Sequence, residues 1–344
     1  LIKYCNCYKK TDEKKEVIIM SMFRKPSTKQ LGLKVLVMGE KGVGKSVFSL
    51  SFPKLYALDG ETGMAFYEDH PQFGQNILGI ANTMDFNELH SAIDEIEEIV
   101  EDDPEAVKSL VIDSETKFYQ NLTDSALTVE EKKARKSGKD VMDSAVSMRG
   151  WGRIKSVAQR LQNLKIDLSA KGVNVISISQ IDDIKEKKGD SFVKIGEKPV
   201  MQKGAEYDYD LVIKLYTTVD ASGDVQYKGI ILKDRTGVTK VGQVISDPSY
   251  NVWKPFIESR KNGDKIKSTL SADAEKAEMA LVEEDTNREK TTVDKLRELM
   301  AKSERHQAHA VKLIQEAKIK NPLEPTATEI KKLEAVVAEL EKFN

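Results

Sequence analysis

One short stretch constrains this chain more than any other. Gly39 to Ser46 reads GEKGVGKS and matches G-x-x-x-x-G-K-[ST] in full. It follows a continuous apolar run, LGLKVLVM, and precedes VFSLSF, a helix-like segment ended by Pro53. A strand, a glycine-rich loop and a helix in that order let backbone N–H groups curl around a phosphate, and the helix N-terminus adds partial positive charge. Gly39, Glu40, Lys41, Gly42, Val43, Gly44, Lys45, Ser46 and Val47 are therefore candidate phosphate-binding residues. Lys45 is expected to reach the β- and γ-phosphates of ATP, and Ser46 to ligate Mg²⁺.

The rest of the chain supplies a sheet for that loop. LYAL (residues 55–58), SLVIDS (109–114), VNVISISQ, DLVIKLYTTV and YKGIILK read as strands. Between them, Leu89, Ile93, Ile96 and Ile99 recur at helical spacing, and residues 157–168 read as an amphipathic helix. Strands alternating with helices predict an α/β fold with a mainly parallel, twisted sheet flanked by helices. SLVIDS closes in Asp113-Ser114, and Asp113 is an acid able to hold magnesium through water. LYAL runs into DGETG, which sets Glu61 in a turn. Acids are common in turns, so a turn or capping role for Glu61 stands beside a catalytic one.

From about Ile266 the composition turns polar, and residues 266–292 read as a linker or a loosely held helix. Three helical pieces follow at 293–301, 307–318 and 326–340, forming a small C-terminal helical module over 293–344. At the other end, KKEVIIM (residues 14–20) can be encoded by a strong bacterial ribosome-binding site, a spacer and a start codon. Residues 1–19 are thus expected to be a translated leader, with the natural start at Met20 or Met22 and the core at 20–265. Cys5 and Cys7 fall in that leader, with no second thiol pair to complete a tetrahedral metal set. The remainder has no cysteine, which fits a reducing cytoplasm.

Bulk properties exclude some partners. The formal net charge of −2 gives no global attraction to nucleic acid, so any such case rests on local patches. No apolar run approaches the ~20 residues of a membrane span.

Taken in order, these motifs resemble the RecA-type P-loop ATPase core, and most closely the compact phage RecA-like ATPases that accompany single-strand annealing proteins. The resemblance covers roughly residues 33–242. It implies a RecA-like P-loop NTPase core in which Glu61 activates the attacking water and Gln180, at the end of VISISQ, senses the γ-phosphate. It implies single-stranded DNA along two intervals. The first contains Lys132, Lys133, Arg135 and Lys136; the second contains Lys187, Lys188, Phe192 and Lys194. Each also reads as ordinary structure, a solvated helix and a β-hairpin respectively. It further implies that Lys233 and Arg235, in ILKDRTG, reach the γ-phosphate of a neighbouring subunit, against the alternative of a surface salt-bridge pair. The expected assembly is a homo-oligomer, ring or filament, with ATP at its interfaces. A ring helicase or helicase loader, and a nucleotide-switched interaction module, remain as competing readings.

Overall fold

The computed structural model describes residues 25–343 except 190 and 267, and for 285–291 the backbone alone. The expected leader, with both cysteines, lies outside the described residues.

Ten strands are described: β1 (Lys34–Gly39), β2 (Leu55–Asp59), β3 (Ile77–Ala81), β4 (Ser109–Asp113), β5 (Asn174–Ser179), β6 (Ile181–Lys188), β7 (Ser191–Pro199), β8 (Leu211–Val219), β9 (Val225–Asp234) and β10 (Val244–Ser246). Eight of them form one sheet in the order β10-β9-β8-β1-β5-β4-β2-β3. From β8 to β3 every neighbouring pair is parallel, and β9 and β10 close one edge antiparallel. β1, β4 and β5 are almost entirely buried, as expected for strands covered on both faces.

Alternation along the strands sorts their side chains into two layers. Val35, Val37, Ile176 and Ile178 pack with Phe48, Phe52 and Trp253 on one face. Leu110, Ile112 and Val175 pack with Leu89, Ile93, Leu161 and Leu168 on the other. The first layer seats helix α1 (Lys45–Leu50), which follows the glycine loop directly. The second seats α2 (Phe86–Asp102), α3 (Glu115–Lys136) and α4 (Met148–Ala170). The Asp85 carboxylate accepts the N–H groups of Asn87 and Glu88 and so caps α2. Ser114 caps α3 by accepting from the Lys117 N–H, and Ser147 caps α4 by accepting from the Gly150 N–H.

α3 and α4 form a projection from the sheet. α3 leaves at Ser114, where β4 ends. Glu115 meets Gln162 and Lys165 of α4, and Glu130 meets Ser147 just before α4, so the two helices run antiparallel. At ~1.5 Å per residue, the start of α4 lies about 25 Å beyond the level of Lys165. The first interval read as DNA-lining is therefore not a loop: Lys132, Lys133, Arg135 and Lys136 occupy the last turns of α3. The second is the antiparallel β6–β7 hairpin, which carries Lys187, Lys188, Phe192 and Lys194 and starts next to Gln180. Both depart from the sheet edge where the glycine loop lies.

Of the two readings of residues 266–292, linker or loosely held helix, the structure shows the helix. Helix α6 (Leu270–Ala301) runs without a break through most of 266–292 and on through the first piece of the module. It follows the short helix α5 (Lys254–Ser259). Near its start the Asp167 carboxylate of α4 accepts the Ser271 N–H at 3.0 Å, and Arg160 pairs with Glu278 at 2.7 Å. Its distal half joins α7 (Glu304–Glu316) and α8 (Ala327–Lys342) around Leu296, Ile314, Leu333 and Leu340. Among the described residues no helix is long and apolar enough to cross a membrane.

Candidate nucleotide site

The loop after β1 has the backbone that phosphate binding requires. Gly42 and Gly44 take φ of 76° and 86°, in the left-handed region that side chains avoid. The α1 N-terminus has no side-chain cap, which leaves its N–H groups for a ligand. Lys45 curls back over the loop and donates to the carbonyls of Gly39 at 3.0 Å and Glu40 at 2.6 Å. Burial holds the Lys45 ammonium below its ordinary pKa, opposed by the nearby carboxylates of Asp113, Glu61 and Glu40.

The strand order then brings three predicted residues to the loop. β5 lies beside β1, β4 comes next and β2 after it. Their ends carry Gln180, Asp113 and Glu61, and all three line one open cavity of about 1280 Å³ with the glycine loop. Ser46 Oγ donates to Asp113 Oδ2 at 2.8 Å. Burial pushes the Asp113 carboxyl up to about 6; the Ser46 hydrogen bond opposes this, and the charges of Asp59 and Glu61 add to it.

Glu61 is held by its surroundings. The buried Asp59 carboxylate accepts the N–H groups of Glu61 at 3.0 Å and Met64 at 2.8 Å, which shapes the turn. The Gly60 N–H donates to the Asp113 carbonyl at 2.7 Å and pins that turn to β4. Ser114 Oγ donates to Glu61 Oε1 at 3.1 Å. Nothing local in SLVIDS foretells this contact. Sequence reasoning also passed over Tyr227 and Lys228 of β9, which line the opposite side of the cavity.

The donor set suits magnesium only in part by itself. Among the described residues no three His, Cys, Asp or Glu side chains gather as a metal site. The Ser46 hydroxyl and the Asp113 carboxylate supply two hard oxygens, and a buried carboxylate so readily protonated gains from a nearby cation. Mg²⁺ commonly takes one or two protein oxygens and completes its shell with water and phosphate, so the residues fit.

Lys233 and Arg235 are not brought to the cavity. Along β9 they lie five and seven residues beyond Lys228, about 17–23 Å at strand spacing, toward the opposite edge of the sheet. There Lys233 donates to the Tyr207 carbonyl at 2.8 Å, and Arg235 pairs with Asp210 at 3.1 Å. Within one chain they cannot touch the phosphates.

The basic segments differ in character. Residues 130–155 hold eight Lys and Arg against four Asp and Glu, whereas the β6–β7 hairpin, 181–199, balances five against five. Lys194 of that hairpin bridges Asp183 and Glu197, each at 2.7 Å, and these hydrogen bonds raise its pKa. The α3–α4 projection also presents Trp151, 47% exposed, with exposed Arg149, Arg153 and Lys155 beside it in sequence. Sequence reasoning overlooked this aromatic.

A glycine-rich phosphate loop with a strand-end acid, on a mainly parallel sheet, defines the P-loop nucleoside triphosphatases. The AAA domain family model matches residues 31–246, and the chain belongs to that family, within the AAA-type P-loop ATPases. Nucleotide binding and hydrolysis are the class of activity that membership carries. No curated protein matches the chain significantly.

Proposed function

We propose that this protein is a Mg²⁺-dependent ATPase of the phage recombination type, stimulated by single-stranded DNA and working with a single-strand annealing protein. One observation carries the reading: the basic, Trp151-bearing α3–α4 projection leaves the sheet at Ser114, inside the nucleotide cavity. Clustered Lys and Arg neutralise phosphates, and an exposed aromatic stacks on unpaired bases. The charge balance favours this projection over the β6–β7 hairpin.

Hydrolysis uses the residues as they stand. Lys45 exchanges its loop carbonyls for the β- and γ-phosphate oxygens. Glu61 orients a water and takes its proton as the water oxygen bonds to the γ-phosphorus. The bond from that phosphorus to the β–γ bridging oxygen breaks, giving ADP and phosphate. Gln180 lines the same cavity, immediately before the β6–β7 hairpin, and senses the γ-phosphate. Mg²⁺, held by Ser46 and through water by Asp113, would neutralise phosphate charge. Lys233 and Arg235 act from a neighbouring subunit in a homo-oligomer, since they lie too far away to act within their own.

The test is ATP turnover with and without single-stranded DNA at two salt concentrations. Stimulation that weakens with salt supports the reading. Duplex unwinding would favour a helicase. Turnover indifferent to DNA, with partner binding that changes with ATP, would favour an interaction module.

A further inference from the structure

Glu61 sits on an exposed turn, and a carboxylate there has many rotamers to choose from. Something must select the one that faces the water. The side-chain donor that reaches it is Ser114, 2% exposed and fixed at the junction of β4 and α3. Its hydroxyl is engaged at both ends. The oxygen accepts the Lys117 N–H at 3.3 Å as the cap of α3. The hydroxyl donates to Glu61 Oε1 at 3.1 Å, and the hydrogen bond from Lys117 restricts the other directions it can take. The next residue, Glu115, is locked by the buried Lys165, so the serine cannot drift with the helix end.

We infer that Ser114 is the positioning residue for Glu61: it aims the general base, through a hydroxyl whose own orientation is set by helix α3. This rests on the reading of Glu61 as the base. Ser114 touches neither the water nor the phosphate in this role, so its whole effect on hydrolysis passes through Glu61.

A double-mutant cycle tests this. Turnover, KM and affinity for a fluorescent ATP analogue are measured for the unmutated protein, Ser114→Ala, Glu61→Gln and the double variant. Ser114→Ala is expected to lower kcat by about 10- to 100-fold, as misaimed groups do, with nucleotide affinity nearly unchanged. In the Glu61→Gln background the same substitution should cost almost nothing more, because the group it aims is already disabled. Loss of the α3 cap lowers the melting temperature in both backgrounds alike, which separates the structural effect from the catalytic one. Losses that multiply fully across the cycle, or a Ser114→Ala enzyme at normal rate, would overturn the inference. Normal turnover in Glu61→Gln would instead overturn the assignment of the base, and the positioning role with it.

Discussion

Lys165→Met should be among the most destabilising substitutions in the core. The Lys165 and Glu115 side chains are 1% and 4% exposed. Lys165 also donates to the Tyr209 hydroxyl at 3.0 Å, and Gln162 donates to Glu115 at 3.2 Å. Methionine fills the volume but leaves the Glu115 carboxylate buried with only the Gln162 amide. Breaking a buried pair from one side costs about 3–5 kcal/mol. Domain stabilities are typically about 5–15 kcal/mol, so a large share would go. With a urea slope of about 2–3 kcal/mol per molar, the midpoint should fall by roughly 1–2 M. Trp253, fully buried, reports the transition by its fluorescence. The double variant Lys165→Met with Glu115→Leu should recover most of the loss, because no charge is then stranded. The pH dependence has a definite sign. Burial lowers the Lys165 pKa, but the Glu115 carboxylate outweighs it and raises the pKa above 10.5. The contribution of the pair is therefore whole below about pH 10.5 and fades as pH rises through the folded value. Tyr209, raised above 10.0 chiefly by burial, resists ionisation when folded and pushes the same way. A loss under about 1 kcal/mol for Lys165→Met, or a double variant as unstable as the single, would refute the reasoning.

Three further expectations concern the nucleotide. Lys45→Ala should abolish productive ATP binding, read by titration with a fluorescent nucleotide; near-normal turnover would mean that the loop is not the site. Glu61→Gln should still bind ATP but hydrolyse it about 10²–10⁴-fold more slowly, and loss of binding would make Glu61 structural. Arg235→Ala should slow turnover without weakening nucleotide binding, and mixing it with Glu61→Gln protein should restore part of the rate at interfaces that pair two intact residues. No recovery on mixing, with turnover of the unmutated protein independent of dilution, would show that the site is completed within one chain.

The nucleotide side of the site was legible because each element announces itself locally. A glycine loop between a strand and a helix has few other uses, and an acid or amide at the tip of an apolar run stays at the sheet edge once the run is buried. The missed features depend on contacts between distant residues. Nothing near Ser114 says that its hydroxyl meets Glu61, since that contact exists only because β2 and β4 are neighbours. The end of α3 reads as either a DNA-lining interval or a solvated helix because the sheet holds the helix through its first turns, at Phe118 and Leu122, and no apolar stripe extends to Lys136. The first half of α6 reads as either a linker or a loosely held helix because it is largely exposed, which removes the hydrophobic pattern. Its Ala, Glu, Lys and Leu content still favours helix without one. β3 is a short partly buried run after irregular turns, and only its pairing with β2 makes it a strand.

The sheet order gives a bound nucleotide a mechanical meaning. The loop after β1, Gln180 just past β5, Asp113 at the end of β4 and Glu61 just past β2 stand on consecutive ribs of one surface, although the chain visits them as β1, β2, β4, β5. On the proposed reading, a triphosphate held by all four would act as a keystone joining those ribs. Its occupancy would then report on the integrity of β1, β5, β4 and β2. At a hundred times its Kd it would add about 2.7 kcal/mol against unfolding, and protease resistance conferred by ATP should spread evenly across the core rather than gather at the loop.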